Sequence, residues 1–390
     1  MINVYLKGVL VQSSVFFFIF FAAISVQNIM STLFDEWGFI SLGCIYVMLM
    51  LVSPFTYKFD LYKGFIFGTI ASCIFLGGNI VGSLHPWVFI PSHMIFGTGA
   101  SFLWSFRGYY TNLCAFNYEK ESGKSVKGLY NGIFFFIFQL SGILGNLTIS
   151  LLMKTIDVTS MMAIFSILCI CACLTLAFLP KFEESDIDKV EMAPKDVEEG
   201  NEQTNSKNLD NFLNLTKFLT ICPIIISVGM FEGWAWGSFT KEVIDFNLGQ
   251  DNIGFVMTVY SVGYTVFALL IGSFVDKINK KIVVVVNQIV MIALLFVFTM
   301  CRKMGEHYIY GLAVLIGSAE SVLLTLIPVF LSELNNRKYF GIYHSLKSFG
   351  TSMLLFSGPF ISFNIKTIFM CSVCSLTLIH FCFIMNKWKK

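Results

Sequence analysis

Four ionisable residues lie inside long apolar runs of this sequence: Arg107, Glu232, Glu320 and Lys347. Placing a charged side chain inside a lipid bilayer costs at least about 2.5–3.5 kcal/mol. A residue that carries this cost is a candidate for a functional site. Charged groups of this kind could bind a substrate or an ion, and Glu320 or Glu232 would be the group that takes up a proton.

A structural role is the alternative for the same four residues. Glu320 lies closest to the middle of its apolar run and could form an internal ion pair with Lys347. Lys347 lies near the end of its run, roughly 9 Å deep at 1.5 Å per residue. Its long side chain could extend to the lipid headgroups instead. The sequence leaves the functional and the structural interpretation open.

Uncharged polar residues also interrupt the apolar runs. Gln27 and Asn28 form a polar pair deep in the first run, and Gln139 lies in the fifth. Trp234 and Trp236 follow Glu232 in the seventh. We therefore add these residues to the candidates for a polar site within the membrane.

Several classes of function are not expected. The sequence shows no catalytic constellation and no glycine-rich nucleotide-binding loop, so we predict neither an enzyme nor an ATP-driven pump, and no cofactor. The five histidines are scattered, which gives no support for a metal site. The net charge of +2 implies no nucleic-acid partner.

The composition predicts a membrane protein. Hydrophobic residues make up 56% of the chain and charged residues 13%, whereas a soluble domain carries roughly 25% charge. About twelve apolar runs have the length of about 20 residues that a membrane helix needs. The lipid bilayer is therefore the first expected partner, and the fold class is an all-α membrane protein with about twelve transmembrane helices in two six-helix bundles.

An acidic segment divides the chain into two halves. Residues 181–213 are rich in aspartate and glutamate and poor in large apolar residues, which is typical of disordered linkers. We predict an N-terminal bundle at residues 1–180, a linker at 181–213 and a C-terminal bundle at 214–390. Within the bundles, span four is predicted at Trp87–Cys114 and span seven at Leu215–Trp236.

The distribution of basic residues predicts the orientation. If the N-terminus is cytoplasmic, nineteen of the 26 lysines and arginines lie on the cytoplasmic side, five lie on the other side and two lie within spans. Positive residues are enriched on the cytoplasmic side of membrane proteins. We therefore expect an integral, multi-pass protein with both termini and the linker in the cytoplasm, in a plasma or internal membrane that the sequence does not identify.

Glycine pairs at a spacing of four predict close helix packing within the chain. These pairs are Gly64/Gly68, Gly78/Gly82 and Gly128/Gly132.

The loop after the eighth span resembles a signature of the major facilitator superfamily, a group of membrane transporters. In this loop a glycine is followed four residues later by an acidic residue, then by a basic residue, and then by a pair of basic residues. These positions form the candidate gating loop: Gly272, Asp276, Lys277, Lys280 and Lys281. The corresponding loop of the first half keeps only part of the pattern, at Asp60 and Lys63.

Further stretches resemble one branch of that superfamily, the uncoordinated-93-like family of ion-channel regulatory proteins. The resemblance rests on the Gln27-Asn28 pair, the Gly145-Asn146-Leu147 end of span five and the Gly229-x-x-Glu232 motif of span seven. The sequence departs from the family at Arg107, where an uncharged polar residue is more common.

The resemblance implies a central cavity lined by helices one, four, seven and ten. The candidate substrate or ion cavity then contains Gln27, Asn28, Arg107, Gln139, Glu232, Glu320 and Lys347. The first functional hypothesis is a secondary transporter that moves an unidentified small solute or ion by alternating access. The alternative is a non-transporting regulator or trafficking partner of a membrane channel or receptor.

Overall fold

The computed structural model describes residues 3–124, 126–182, 202–274, 279–332 and 338–387. These residues form twelve helices of 18 residues or more, joined by short connections, and contain no strand. The predicted class, an all-α protein with twelve long helices in two bundles of six, is confirmed.

Six helices form each half of the molecule. In the first half they are α1 (Val4–Leu33), α2 (Asp35–Val52), α3 (Leu61–Gly82), α4 (Phe89–Ser122), α5 (Lys127–Leu152) and α6 (Val158–Leu176). In the second half they are α7 (Glu202–Gly233), α8 (Ile253–Phe274), α9 (Lys280–Met300), α10 (Glu306–Ser332), α11 (Lys338–Ser357) and α12 (Phe363–Lys387). Short 3₁₀ segments lie at Ser53–Lys58, Pro86–Val88 and Gln250–Asn252.

Polar side chains fix where several helices begin. The carboxylate of Asp60 accepts the backbone N–H of Lys63 at 2.7 Å, and Asp157 accepts that of Ser160 at 2.9 Å. Asn3 and Asn279 cap α1 and α9 in the same way. Each cap satisfies a donor that the first turn of a helix would leave unpaired. Asp60, one of the two residues that remain of the first-half signature, thus has a structural role as the cap of α3.

The two halves pack in the same pattern. In the first half α1 packs on α5 and α2 on α4, and in the second half α7 packs on α11 and α8 on α10. The halves meet where α2 packs on α11 and α5 on α8. These two contacts are equivalent when the halves are exchanged, so the molecule has a pseudo-twofold arrangement around its centre.

Ten of the helices are long and apolar enough to cross a membrane. The outer surface matches this, since large apolar side chains such as Leu174, Leu376 and Ile379 are exposed, which soluble proteins avoid over large areas. The two exceptions are α4 and α11, which carry Arg107, His344 and Lys347. Both helices pack against several other helices, and these three residues line the central cavity. The chain is an integral, multi-pass membrane protein.

Helix bounds differ from the sequence prediction in three places. α4 continues to Ser122, beyond the predicted end at Cys114, and Gly123 with φ +69° ends it. α7 continues beyond Trp236 as a π-helix, Trp234–Asp245, and a turn at Phe246–Leu248. α7 also begins at Glu202, so the last part of the predicted linker is helical, in keeping with the helix propensity of Glu, Gln and Lys. Residues 183–201 lie outside the described residues, and the division at 181–213 stays a prediction.

Candidate functional site

A cavity of about 210 Å³ lies between the two halves. Both halves contribute, through α1, α2, α4 and α5 on one side and α7, α8, α10 and α11 on the other. All seven residues of the predicted cavity line it: Gln27, Asn28, Arg107, Gln139, Glu232, Glu320 and Lys347. The remaining wall is largely aromatic, with Phe20, Tyr46, Trp104, Phe135, Phe138, Trp236, Tyr260, Tyr264 and Tyr343.

Glu232 and Lys347 form a buried ion pair in this wall. The Lys347 Nζ donates to Glu232 Oε1 at 2.9 Å, and the Thr351 hydroxyl donates to Oε2 at 3.0 Å. The helices approach closely here, because a Cβ at Gly229 would lie 1.8 Å from the Lys347 carbonyl oxygen. The predicted pairing of Lys347 with Glu320 is therefore wrong, and so is the suggestion that Lys347 extends to the headgroups. The nearer carboxylate on α7 satisfies its charge.

Glu320 has a different partner. The hydroxyl of Tyr260 on α8 donates a short hydrogen bond to Glu320 Oε2 on α10. The carboxylate is 1% exposed and touches the cavity. Since a hydroxyl donor carries no charge, Glu320 is hydrogen-bonded but is not neutralised by a base within ion-pair distance in the described residues. It is the less compensated of the two cavity carboxylates.

Asn28 takes part in a polar chain that crosses from one half to the other. Its Nδ2 donates to Asn146 Oδ1 on α5 at 2.8 Å, and Asn146 Nδ2 donates to the Ser261 hydroxyl on α8 at 3.4 Å. The Tyr46 hydroxyl donates to Gln27 Oε1 at 3.5 Å. The Gln-Asn pair and the Gly-Asn-Leu motif, which carry the family resemblance, therefore meet at the α5–α8 contact.

Arg107 lies on the α4 side of the cavity and has no ionic partner in the part of the chain that the structure describes. Its guanidinium carbon lies 4.7 Å and 4.4 Å from the ring centroids of Phe134 and Phe135. Its Nε and Nη1 atoms are buried and have no hydrogen-bond partner among the described residues. The predicted bounds of span four, Trp87–Cys114, put Arg107 in the inner third of that span, but α4 extends to Ser122, so Arg107 lies near the middle of the helix.

Contacts between the halves close the cavity on the face opposite the N-terminus of α1. The Ser31 hydroxyl lies 3.2 Å from the Thr240 hydroxyl, and the backbone N–H of Phe255 donates to Ser150 Oγ at 2.9 Å. Outside them, an open vestibule of about 850 Å³ is lined by charged residues. Lys241 forms an ion pair with Asp35 there, which joins the π-helix to the α1–α2 connection.

The structure describes only part of the candidate gating loop. Asp276 and Lys277 lie outside the described residues. Gly272 is in the last turns of α8, and Lys280 and Lys281 form the first turn of α9, where Asn279 accepts the N–H of Lys281 at 3.1 Å. The gating role of this loop stays a prediction.

The sequence missed several residues of the site. Tyr260, Thr351 and Trp104 contact or line it, and so does His344, one of the histidines regarded as scattered. Nothing distinguishes these residues in an apolar run, because tyrosine and tryptophan are also common at membrane surfaces. Trp234, which was grouped with the polar residues of span seven, points away from the cavity and donates to Thr367 Oγ1 at 3.1 Å.

Two six-helix halves around a closed polar cavity are the architecture of the major facilitator superfamily. A family model described as Major Facilitator Superfamily matches residues 221–387. The solved structure of the nucleoside transporter NupG superposes with a TM-score of 0.70 at 13% identity, over 97% of this chain and 99% of that one.

Relatives narrow the family further. UNC93-like protein 3 of Arabidopsis thaliana is 24% identical over 94% of this chain and 83% of its own length. Protein unc-93 homolog A of Homo sapiens is 23% identical over 96% and 92%. The putative potassium channel regulatory protein unc-93 of Caenorhabditis elegans is 22% identical over 84% of this chain and 53% of that protein. The family model and these relatives support an UNC93-like protein of the major facilitator superfamily.

Proposed function

We propose that this protein is a secondary transporter that moves a small solute or ion through the central cavity by alternating access. The observation that carries the proposal is the cavity itself, which lies between the halves and has two acidic side chains, one lysine and one arginine in its wall. Ionisable residues within membrane proteins line substrate and ion pathways far more often than they face lipid. The proposal assigns the chain no enzymatic step.

The cavity groups divide into a fixed pair and two available groups. Glu232 and Lys347 neutralise each other and hold α7 to α11. Glu320 and Arg107 lack such a partner in the described part of the chain, so they are the groups that we assign to solute or ion binding. Alternating access would require the Ser31–Thr240 and Asp35–Lys241 contacts to break, so that the cavity opens to the face opposite the N-terminus of α1.

The test is a thermal-shift screen of the purified protein against metabolites and ions over a range of pH. A ligand that binds only the folded state raises stability by about 2.7 kcal/mol at a hundredfold excess over its dissociation constant. We expect at least one ligand whose shift disappears in Glu320→Gln or Arg107→Ala. If a folded sample responds to no ligand, or both variants keep the full shift, the cavity is not the binding site.

A regulator of a membrane channel is the second candidate. It is favoured by the relative described as a putative potassium channel regulatory protein. Co-expression with a potassium channel would distinguish the two. A regulator would alter the current equally well with Glu320→Gln in place, whereas a transporter would lose solute binding and leave the channel current unchanged.

A further inference from the structure

We infer that Arg107 binds the carboxylate of a small organic anion, which makes such anions the substrate class of the central cavity. This inference rests on the proposed transport function. It goes further in naming the ligand chemistry and the residue that selects it.

The first support is the unsatisfied guanidinium. Buried polar atoms in native proteins nearly always have a partner, and one without a partner calls for an explanation such as an absent ion or ligand. Nε and Nη1 of Arg107 are two such atoms. A carboxylate matches a guanidinium with two parallel hydrogen bonds, and each of the two forks that it can use pairs Nη2 with one of these atoms, Nε or Nη1.

The second support is that no acid in the cavity can take this role. Both oxygens of Glu232 are engaged, by Lys347 and by Thr351. Glu320 lies in the second half of the molecule, whereas Arg107 lies in the first, and its carboxylate accepts a hydrogen bond from Tyr260. The described residues place no carboxylate within ion-pair distance of Arg107, so none of them supplies its counter-charge.

The third support is the way in which Arg107 is held. Its guanidinium lies against the faces of Phe134 and Phe135 on the neighbouring helix α5. Cation–π contacts of this kind keep a guanidinium in place without using its hydrogen-bond donors. The side chain as a whole is half-buried and borders the cavity, although its Nε and Nη1 atoms are buried.

The rest of the cavity wall indicates which kind of group is attached to the carboxylate of the anion. Beside Arg107 the wall is formed by rings, with Trp104 and Phe138 packed edge to face at 5.2 Å between centroids. The volume of about 210 Å³ is below the roughly 300–1,000 Å³ of sites for drug-sized ligands. A small apolar or aromatic body attached to one carboxylate fits both features better than an inorganic anion.

The experiment compares carboxylates with neutral amides of the same shape. Calorimetric titrations of the purified full-length chain would use acetate, hexanoate and benzoate beside acetamide, hexanamide and benzamide, with inorganic phosphate as a further probe. Because a hydrogen bond to a charged group contributes about 1.5–3 kcal/mol, a fitting carboxylate should bind about tenfold to a hundredfold more tightly than its amide. Arg107→Gln should remove that preference.

Two variants act as controls. Arg302→Gln also removes an arginine, but in the vestibule against Glu242, and should keep the preference. Arg107→Lys retains the positive charge but lacks the paired N–H groups of a guanidinium, and it should keep part of the preference for carboxylates over amides. Equal binding of carboxylates and amides to the unaltered protein, a preference for phosphate alone, or a preference that survives Arg107→Gln would each overturn the inference.

The outcomes also separate this inference from the proposed function. If a neutral or cationic solute binds and crosses reconstituted vesicles while no carboxylate binds, transport stands and the anion site is wrong. If carboxylates bind through Arg107 but no solute crosses the membrane, the anion site stands and transport is wrong.

Discussion

At the scale of single residues, the site shows which charges neutralise one another. The seven residues that the sequence singled out all line the cavity, because a charge or an amide in an apolar run is conspicuous. It did not identify the partners. Lys347 pairs with Glu232 and not with Glu320, and that choice depends on how α7, α10 and α11 are rotated about their axes. Helix rotation is set by packing at positions such as Gly229, which a hydropathy pattern does not reveal.

The Glu232–Lys347 pair predicts a double-mutant result. Lys347→Met leaves the Glu232 carboxylate buried without its counter-charge, which typically costs about 3–5 kcal/mol. Glu232→Gln combined with Lys347→Met should restore most of that loss, since neither charge remains. Thermal unfolding of the purified variants in detergent would measure both effects.

The matched control is Lys7→Met, which removes an exposed lysine whose side chain has no ion pair or cation–π contact among the described residues. It should leave the melting temperature close to that of the unaltered protein. A double variant that is less stable than Lys347→Met alone would show that the two residues do not act as a pair.

At the scale of helices, the sequence predicted which segments are helical better than it predicted where each helix ends or which helices it contacts. The glycine pairs of α3 were predicted to pack, and a Cβ at Gly68 or Gly78 would indeed lie within 2.5 Å of an atom on α4. Gly132 of α5 was predicted to pack as well, yet nothing lies within 4 Å of its Cβ position. A spacing of four residues places two glycines on one helix face, but it does not say whether another helix covers that face.

Two glycine substitutions test this distinction. Gly229→Ala forces a Cβ into the Lys347 backbone, so α7 and α11 have to separate, and we expect a loss of about 1–3 kcal/mol or more. Gly132→Ala places a methyl group in open space and should leave stability unchanged. The yield of monodisperse protein and its melting temperature would show the difference, and equal tolerance of both changes would contradict the packing of α7 against α11.

At the scale of the whole molecule, successive helices run in alternating directions. The connections that follow even-numbered helices therefore lie on the same side as the N-terminus. Because lysine and arginine are in excess on that side, we predict that it is cytoplasmic. This prediction needs only the order of the spans and the charges between them. The sequence could not predict which face of the cavity is closed, because that depends on contacts such as Ser31–Thr240 between halves that are about 200 residues apart in sequence.

The orientation is testable with thiol labelling. Cys301 is exposed in the connection between α9 and α10, on the face opposite the N-terminus. A membrane-impermeant maleimide should label it only from the non-cytoplasmic side. In a Cys301→Ser background, Lys58→Cys lies on the other face and should react only from the cytoplasmic side. The reverse pattern would mean that the termini are not cytoplasmic.

The most direct measurement of alternating access is solute uptake by a protein whose closed face can be locked. Ser31→Cys and Thr240→Cys replace two hydroxyls that lie 3.2 Å apart across the contact between the halves, so the two introduced thiols would face each other there. In a Cys301→Ser background, reconstituted vesicles would take up a ligand found in the binding screen. We predict that oxidation stops uptake, that a reductant restores it, and that either cysteine alone has no effect. Undiminished uptake after the disulfide has formed, or no uptake of any bound ligand by the unlocked protein, would contradict transport through this cavity.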